Sequence, residues 1–252
     1  HCQKCLNVIS IQIAYSTLMN CKEGYLLRIL ILLRCVEPQP LEINMTYLLR
    51  LDCSPRNRDS VSRELADNAE KRLLTLIPSL STKTRDLATE NLPHITNDTI
   101  AGFYAPPSGK TEKLKAATAL SDELIQELKM ADTLLISAPM YNFGVPSSLK
   151  AWIDQIVRIN KTFAFDGSQF EGLVTVKRSV LVLSYGAQGY AQGGGLSEMD
   201  FLEPYLRALM SFLGIEKTHV IRIEGTTGDP DALETAKRQA LVDISQLVVE
   251  ES

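Results

Sequence analysis

The chain has 252 residues, 45% hydrophobic and 22% charged, which fits one globular domain or at most two and allows a substantial core without staples. Its formal net charge is −4, so no basic balance points to nucleic acid or to an anionic membrane. Aromatic residues are scarce at 6%, so an aromatic cluster within a single loop carries information.

Residues 1–44 read differently from the rest. Four of the five cysteines (Cys2, Cys5, Cys21, Cys35) fall here, and Cys53 is the last in the chain. Cys2-Gln3-Lys4-Cys5 is a CxxC, but no second CxxC or His pair completes a zinc site, and the strand and helix of a thioredoxin-type motif are missing. The apolar run Gly24–Cys35 is short and interrupted by Arg28 and Arg34, whereas a membrane span needs about 20 apolar residues. Glu37, Pro38 and Pro40 follow it in place of a signal-cleavage site. The simplest expectation makes Met45 the working start, with 1–44 an extension outside the domain and 45–252 the folded unit. A targeting segment is the other reading. The nearly cysteine-free remainder fits the cytoplasm.

From Met45 the elements alternate. Tyr47–Leu51 reads as a strand, and Ser62–Ile77 as a helix with Leu65, Ala69, Leu73, Leu76 and Ile77 on one face. Lys83–Leu87 is a weak second strand. A helix over Ala116–Met130 carries Leu120, Leu124, Ile125 and Leu128 at helical spacing. A third strand over Thr133–Ser137 leads to a helix over Pro146–Ile159. A fourth strand, Ser179–Ser184, leads to a helix over Phe201–Leu213. His219–Ile223 is a fifth strand, and Ala232–Val249 a last helix. Such alternation implies right-handed crossovers and a parallel sheet covered on both faces. The third and fourth strands are apolar almost throughout, as a doubly covered centre requires. The expected fold is a doubly wound, five-stranded α/β sandwich of three layers. The connections 89–115 and 185–198 are too long for simple turns.

Ligands of such sheets bind beyond the carboxyl ends of the strands, near the point where strand order reverses. The loop after the first strand contains Ser54, Ser60 and Ser62 ahead of a helix N-terminus, a ready anion site. Capping explains one of these serines, but not three. Neither a Walker pattern nor G-x-G-x-x-G is present. After the third strand comes Met140-Tyr141-Asn142-Phe143-Gly144. An apolar side chain, two aromatics and an amide at a strand tip suit a planar heterocycle, although Tyr141 and Phe143 could equally cap the core. After the fourth strand come Ser184-Tyr185-Gly186-Ala187 and then Gly193-Gly194-Gly195, the latter a mobile lid or, the favoured reading, a plain linker. His94 and His219 read as structural.

Ser54 with Ser60-Val61-Ser62, then Met140-Tyr141-Asn142-Phe143, then Ser184-Tyr185-Gly186-Ala187 resemble the three flavin-binding segments of the FMN-dependent NADH azoreductases, also described as NADH:quinone oxidoreductases, in order and at sensible spacing. "EGLV" (Glu171–Val174) and "ALSDELI" (Ala119–Ile125) add to the likeness, which covers Met45 to the C-terminus. The resemblance implies a flavodoxin-like fold and a homodimer holding FMN non-covalently. Ser54, Ser60, Val61 and Ser62 would then surround the phosphate and ribityl chain. Met140, Tyr141, Asn142 and Phe143 would line the isoalloxazine, and Ser184, Tyr185, Gly186 and Ala187 its outer rim. Phe163 matches an aromatic that lines the substrate pocket in relatives. Where some relatives carry an arginine that tunes substrate preference, this chain reads Phe103-Tyr104-Ala105-Pro106-Pro107.

The implied activity is NADH-driven, two-electron reduction of quinones to hydroquinones and of azo compounds to aromatic amines, with donor and acceptor using one site in turn. No side-chain acid or base is needed by this scheme, and no metal. A flavodoxin-type FMN electron carrier and an FMN-free hydrolase or nucleotide-binding domain are the alternatives from other classes. The choice between NADH and NADPH, and the physiological acceptor, stay open.

Overall fold

The computed structural model describes residues 46–56 and 58–248. The Cys2–Cys5 motif, the apolar run Gly24–Cys35 and the proposed start at Met45 lie outside these residues, whereas the last helix, expected to reach Val249, ends at Ser245.

Five parallel strands form the sheet: β1 (Thr46–Asp52), β2 (Leu80–Asp86), β3 (Thr133–Pro139), β6 (Arg178–Ser184) and β7 (Lys217–Ile223), in the order β2-β1-β3-β6-β7. Two short strands, β4 (Phe163–Phe165) and β5 (Phe170–Gly172), pair as an antiparallel hairpin outside it. The helices are α1 (Val61–Leu76), α2 (Asn97–Tyr104), α3 (Glu112–Met130), α4 (Ser147–Ile156), α5 (Glu203–Leu213) and α6 (Pro230–Ser245).

The period-2 alternation of the strands sorts the core into two halves. Leu48, Leu135, Val180, Val182, Ile221 and Ile223 point to one face, where they meet Leu65, Ala69 and Leu73 of α1 and Ala240 and Ile244 of α6. Leu49, Leu51, Leu134, Ile136, Leu181 and Leu183 point to the other, against Leu124 and Leu128 of α3, Trp152 and Ile156 of α4, and Leu206 and Met210 of α5. Strands buried on both sides explain why β3 and β6 are apolar almost throughout. Three layers result, and the strand order reverses between β1 and β3.

Helix starts are fixed by local chemistry. The side chains of Ser60, Thr111 and Asp229 accept from the third residue after each, capping α1, α3 and α6. Thr96 and Thr99 form a reciprocal capping box at α2. Gly214 ends α5 in the left-handed region at φ 94°.

The expected order of the five main strands and of five helices is the observed one. α2 and the β4–β5 hairpin are additions. α2 is an eight-residue helix inside the loop 89–115, too short to show periodicity. It packs so near α3 that a Cβ on Gly102 would lie 2.5 Å from Thr118 Cγ2. Boundaries also moved. α3 begins at Glu112 rather than Ala116, because Thr111 caps a polar first turn that the apolar spacing does not register. α4 ends at Ile156, not Ile159, because Thr162 Oγ1 takes over: it accepts from the Arg158 amide at 2.9 Å and donates to the Ile156 carbonyl at 2.7 Å. β2 starts at Leu80, since pairing with β1 extends an edge strand whose side chains are mostly polar.

Gly193–Gly195 is not a plain linker. A Cβ on Gly194 would lie 2.3 Å from the Gly189 carbonyl oxygen, so the chain crosses itself where only glycine fits. The Leu196 amide closes the knot by donating to that same carbonyl at 2.9 Å.

Candidate functional site

A cleft of about 230 Å³ opens at the carboxyl ends of the strands, at the switch point between β1 and β3. The loop after β1 contributes Ser54, Arg56, Ser60, Val61 and Ser62 to its lining. The turn after β3 contributes Pro139, Met140 and Tyr141, and the loop after β6 Ser184 and Gly186. The loop after β7 adds Thr226 and Thr227. A second cavity, of about 730 Å³, is lined by Tyr141 as well, with Asn142, His94, Lys150, Phe201 and Tyr205 among its other walls.

The three predicted segments thus converge, but not with every side chain. Asn142 faces the second cavity. Phe143 is exposed at the turn, and its carbonyl accepts from the Phe201 amide at 3.0 Å. Tyr185 is turned into the core. Its phenol donates to Asp200 at 3.1 Å, Arg222 lies 4.6 Å over its ring, and burial pushes its pKa up. Ala187 is exposed and lines neither cavity. Phe163 also lies outside both: the hairpin folds onto α5, where its ring meets Phe212 at 4.9 Å and Phe170 at 6.0 Å.

Missed from the sequence were Arg56, Pro139, Thr226 and Thr227. The signal for the threonines was present: Gly225-Thr226-Thr227-Gly228 follows a strand just as the other loops do. His94, assigned a structural role, stands exposed on the wall of the larger cavity.

The β1 loop is rigidly braced. Arg63, in the first turn of α1, donates to the Ser54 carbonyl, to Asp86 at 2.7 Å and to Asp52 at 3.4 Å. Arg50 pairs with Asp52, Asp67 and Glu70 below. Burial pushes the Asp52 carboxyl up even against these cations. Burial, with Asp52 adjacent, also pushes the Cys53 thiol far up, so Cys53 is a core residue and not a nucleophile. Ser60 caps α1, and its Oγ lies 3.3 Å from that of the buried Ser62. The first amides of a helix have no intrahelical partner and carry the positive end of its dipole. Together these groups suit a phosphate.

The β3 tip is a two-residue turn. Tyr141 and Gly144 exchange both backbone hydrogen bonds at 3.1 Å, with Asn142 at φ 49° and Phe143 at φ 71° between them. Positive φ is common for Asn but costly for an aromatic residue. Phe143 itself lines neither cavity and stands between Asn142 and Gly144, which line the larger one.

Sheet order and cleft position together define a flavodoxin-like α/β protein. Comparison with known proteins agrees: the family described as flavodoxin-like fold matches residues 46–248. The FMN-dependent NADH:quinone oxidoreductase of Xanthobacter autotrophicus is 49% identical over 176 residues, covering 70% of this chain and 85% of that protein. The protein of the same name from Beijerinckia indica subsp. indica is 40% identical over 205 residues, covering 81% of this chain and 100% of its own length. The solved azoreductase of Bacillus anthracis superposes with a TM-score of 0.73 at 25% identity, over 80% of this chain and 98% of that one. The chain belongs to the flavodoxin-like family of FMN-dependent NADH:quinone oxidoreductases. Among the described residues no cluster could hold a metal ion, and no helix is long and apolar enough to cross a membrane.

Proposed function

We propose that the cleft holds FMN and that the chain uses it to pass two electrons from NADH to quinones and azo compounds. The observation that carries this reading is the convergence of Ser54, Ser60, Val61 and Ser62 with Met140, Tyr141, Ser184 and Gly186 in one cleft at the switch point. The residues fit the cofactor chemically. Serine hydroxyls and the α1 N-terminus suit a phosphate dianion. Pro139, Met140 and Tyr141 offer an apolar wall for a flat ring, and Asn142 and Phe143 border it. Ser184, Tyr185, Gly186 and Ala187 supply main-chain groups for its outer rim.

Bound FMN supplies a hydride acceptor that later returns both electrons to the second substrate. Ser54, Ser60 and Ser62 would hold its phosphate, and Pro139, Met140 and Tyr141 would orient its ring. Two-electron delivery yields hydroquinones from quinones, and two rounds yield amines from azo compounds. The larger cavity, walled by Tyr141, Phe201 and Tyr205, gives NADH and the acceptor a common aromatic stacking site. The relatives' names support an enzyme over an electron carrier.

We further infer a homodimer. Phe165 and Phe170 are 46% and 62% exposed on the hairpin, beside Phe163 and Phe212. Aromatic clusters left open in one chain mark contact surfaces. A second copy docked there would also give Phe163 its expected place beside substrate. Residues 45–252 would form the FMN-binding domain, acting in the cytoplasm.

The decisive experiment is steady-state kinetics on the purified protein. It should be yellow, contain FMN, and oxidise NADH when a soluble quinone is present. Because donor and acceptor occupy one site in turn, double-reciprocal plots at several quinone concentrations should be parallel. Intersecting lines would overturn the shared site, and a colourless protein that FMN cannot reconstitute would overturn the cofactor.

A further inference from the structure

We propose that Thr226 and Thr227 are positioning residues that tune the electron affinity of bound FMN by fixing a row of three backbone donors that begins at Gly186 on the cleft wall. This inference rests on the FMN reading above. Residues 225–227 of the loop after β7 grip residues 185–187 of the loop after β6 through their carbonyl groups. The Tyr185 carbonyl accepts from the Thr226 amide at 3.0 Å and from Thr226 Oγ1 at 3.1 Å. The Gly186 carbonyl accepts from the Thr227 amide at 3.1 Å and from Thr227 Oγ1 at 3.0 Å. The Ala187 carbonyl accepts from the Gly225 amide at 3.1 Å.

A trans peptide is planar, with its N–H antiparallel to its C=O. Three consecutive carbonyls turned toward residues 225–227 therefore turn the amides of Gly186, Ala187 and Gln188 the opposite way. None of these three N–H groups donates to another group among the described residues. The run of free amides ends sharply at the next residue, where Glu224 accepts from the Gly189 amide at 2.7 Å and from the Tyr190 amide at 3.3 Å. Gly186 lines the cleft. Successive free amides on one side of a turn form a concave anion site.

The consequence is differential binding. Two-electron reduction gathers negative charge on the pyrimidine edge of a flavin, and preorganised donors stabilise charge that develops more than charge already neutral. Rigid peptide planes favour reduced FMN over oxidised FMN. The two hydroxyls matter because each doubles the grip on one carbonyl. Without them the planes rock, and the donors lose their aim.

The test is spectroelectrochemical titration of the FMN-loaded protein. The variant T226V/T227V keeps side-chain shape and the backbone donors but loses both hydroxyls. Its affinity for reduced FMN should fall about tenfold more than its affinity for oxidised FMN, read as a two-electron midpoint potential lower by about 30 mV. T226S/T227S restores the hydroxyls and should restore the potential. Equal loss of affinity for both redox forms, at unchanged potential, would show a merely structural contact and overturn the proposal. A second reading needs no variant: in the unmodified holoprotein, the amide protons of Gly186, Ala187 and Gln188 should shift on flavin reduction by more than those of Gly189 and Tyr190. Their failure to move would also overturn it. Failure of the unmodified protein to bind FMN at all would instead remove the cofactor assignment itself.

Discussion

The guanidinium of Arg63 grips the main-chain carbonyl of Ser54 with two nitrogens, at 2.6 Å from Nη2 and 3.1 Å from Nε. One side chain from the first turn of α1 thus ties back the far side of the loop that precedes it. The same guanidinium reaches Asp86 at the end of β2, so loop, helix and two strand ends are locked together. Arg63→Met should raise the FMN dissociation constant by about tenfold, the loss of roughly one charge-assisted hydrogen bond's worth of preorganisation. Stability should fall by about 2 kcal/mol, less than the ~3–5 kcal/mol for breaking a buried pair, because Arg50 still partners Asp52. Arg63→Lys restores the charge without the two-pronged grip, so it should recover stability but not affinity. Flavin titration and urea unfolding separate the two effects. Full recovery of affinity by lysine would refute the clamp.

Ser60 and Ser62 sit two residues apart and should separate cleanly. Ser60 caps α1, so Ser60→Ala should cost about 1 kcal/mol of stability in the protein without ligand. Ser62 is buried but makes no cap, so Ser62→Ala should leave unfolding nearly unchanged. Both substitutions remove a hydroxyl from the proposed phosphate site. Each should weaken FMN binding by roughly tenfold, within the range for a hydrogen bond to a charged group. Unchanged affinity in both variants would move the phosphate elsewhere.

Phe143 at φ 71° tests whether strain is kept for function. Phe143→Gly removes an exposed side chain from a backbone that glycine adopts freely. It should stabilise the protein by about 1 kcal/mol, the lower range for a residue held in the left-handed region. FMN retention or turnover with quinone should fall at the same time. A variant that is less stable, with unaltered flavin binding, would show that Phe143 simply caps the core.

Much of this architecture was legible from β1 onward. The strands are written in two opposed apolar rows, such as Leu48 and Leu135 against Leu49 and Leu134, and a doubly covered sheet needs both. What stayed hidden lacks repetition. α2 is held by its Thr96–Thr99 box and by contact at Gly102, and the hairpin strands have three residues each. Neither length can show a period. In the site, residues at strand tips were readable because such positions border the cleft by topology. Tyr185 was misleading in this respect. It sits in a flavin-type segment, yet its side chain turns inward, because Asp200 and Arg222, distant in sequence, offer it partners in the core. The bracing of Ser54 by Arg63 was equally invisible, since it depends on how a helix turn lies against the preceding loop.

Acid sensitivity should concentrate at the β2 edge. Glu127 of α3 accepts from Lys83 at 2.5 Å and from Arg85 at 2.5 and 2.7 Å, while Arg85 also reaches Glu90 and Glu123. Burial works to raise the Glu127 carboxyl, but the bonds from Arg85 and Lys83 outweigh it and hold its pKa below the ordinary 4.5. The unfolded chain therefore takes up this proton at a higher pH than the folded protein does. The stabilisation is complete above the unfolded value and disappears as pH falls through the folded one. Glu127→Gln should thus destabilise the protein by about 1–3 kcal/mol at pH 7. The gap between variant and parent should narrow as the pH is lowered below 4.5. Urea midpoints measured at intervals from neutral to acid pH would show the two curves converging. A gap that stayed constant down to the lowest pH would mean that the carboxylate charge contributes nothing, and that Glu127 stabilises this edge by packing alone.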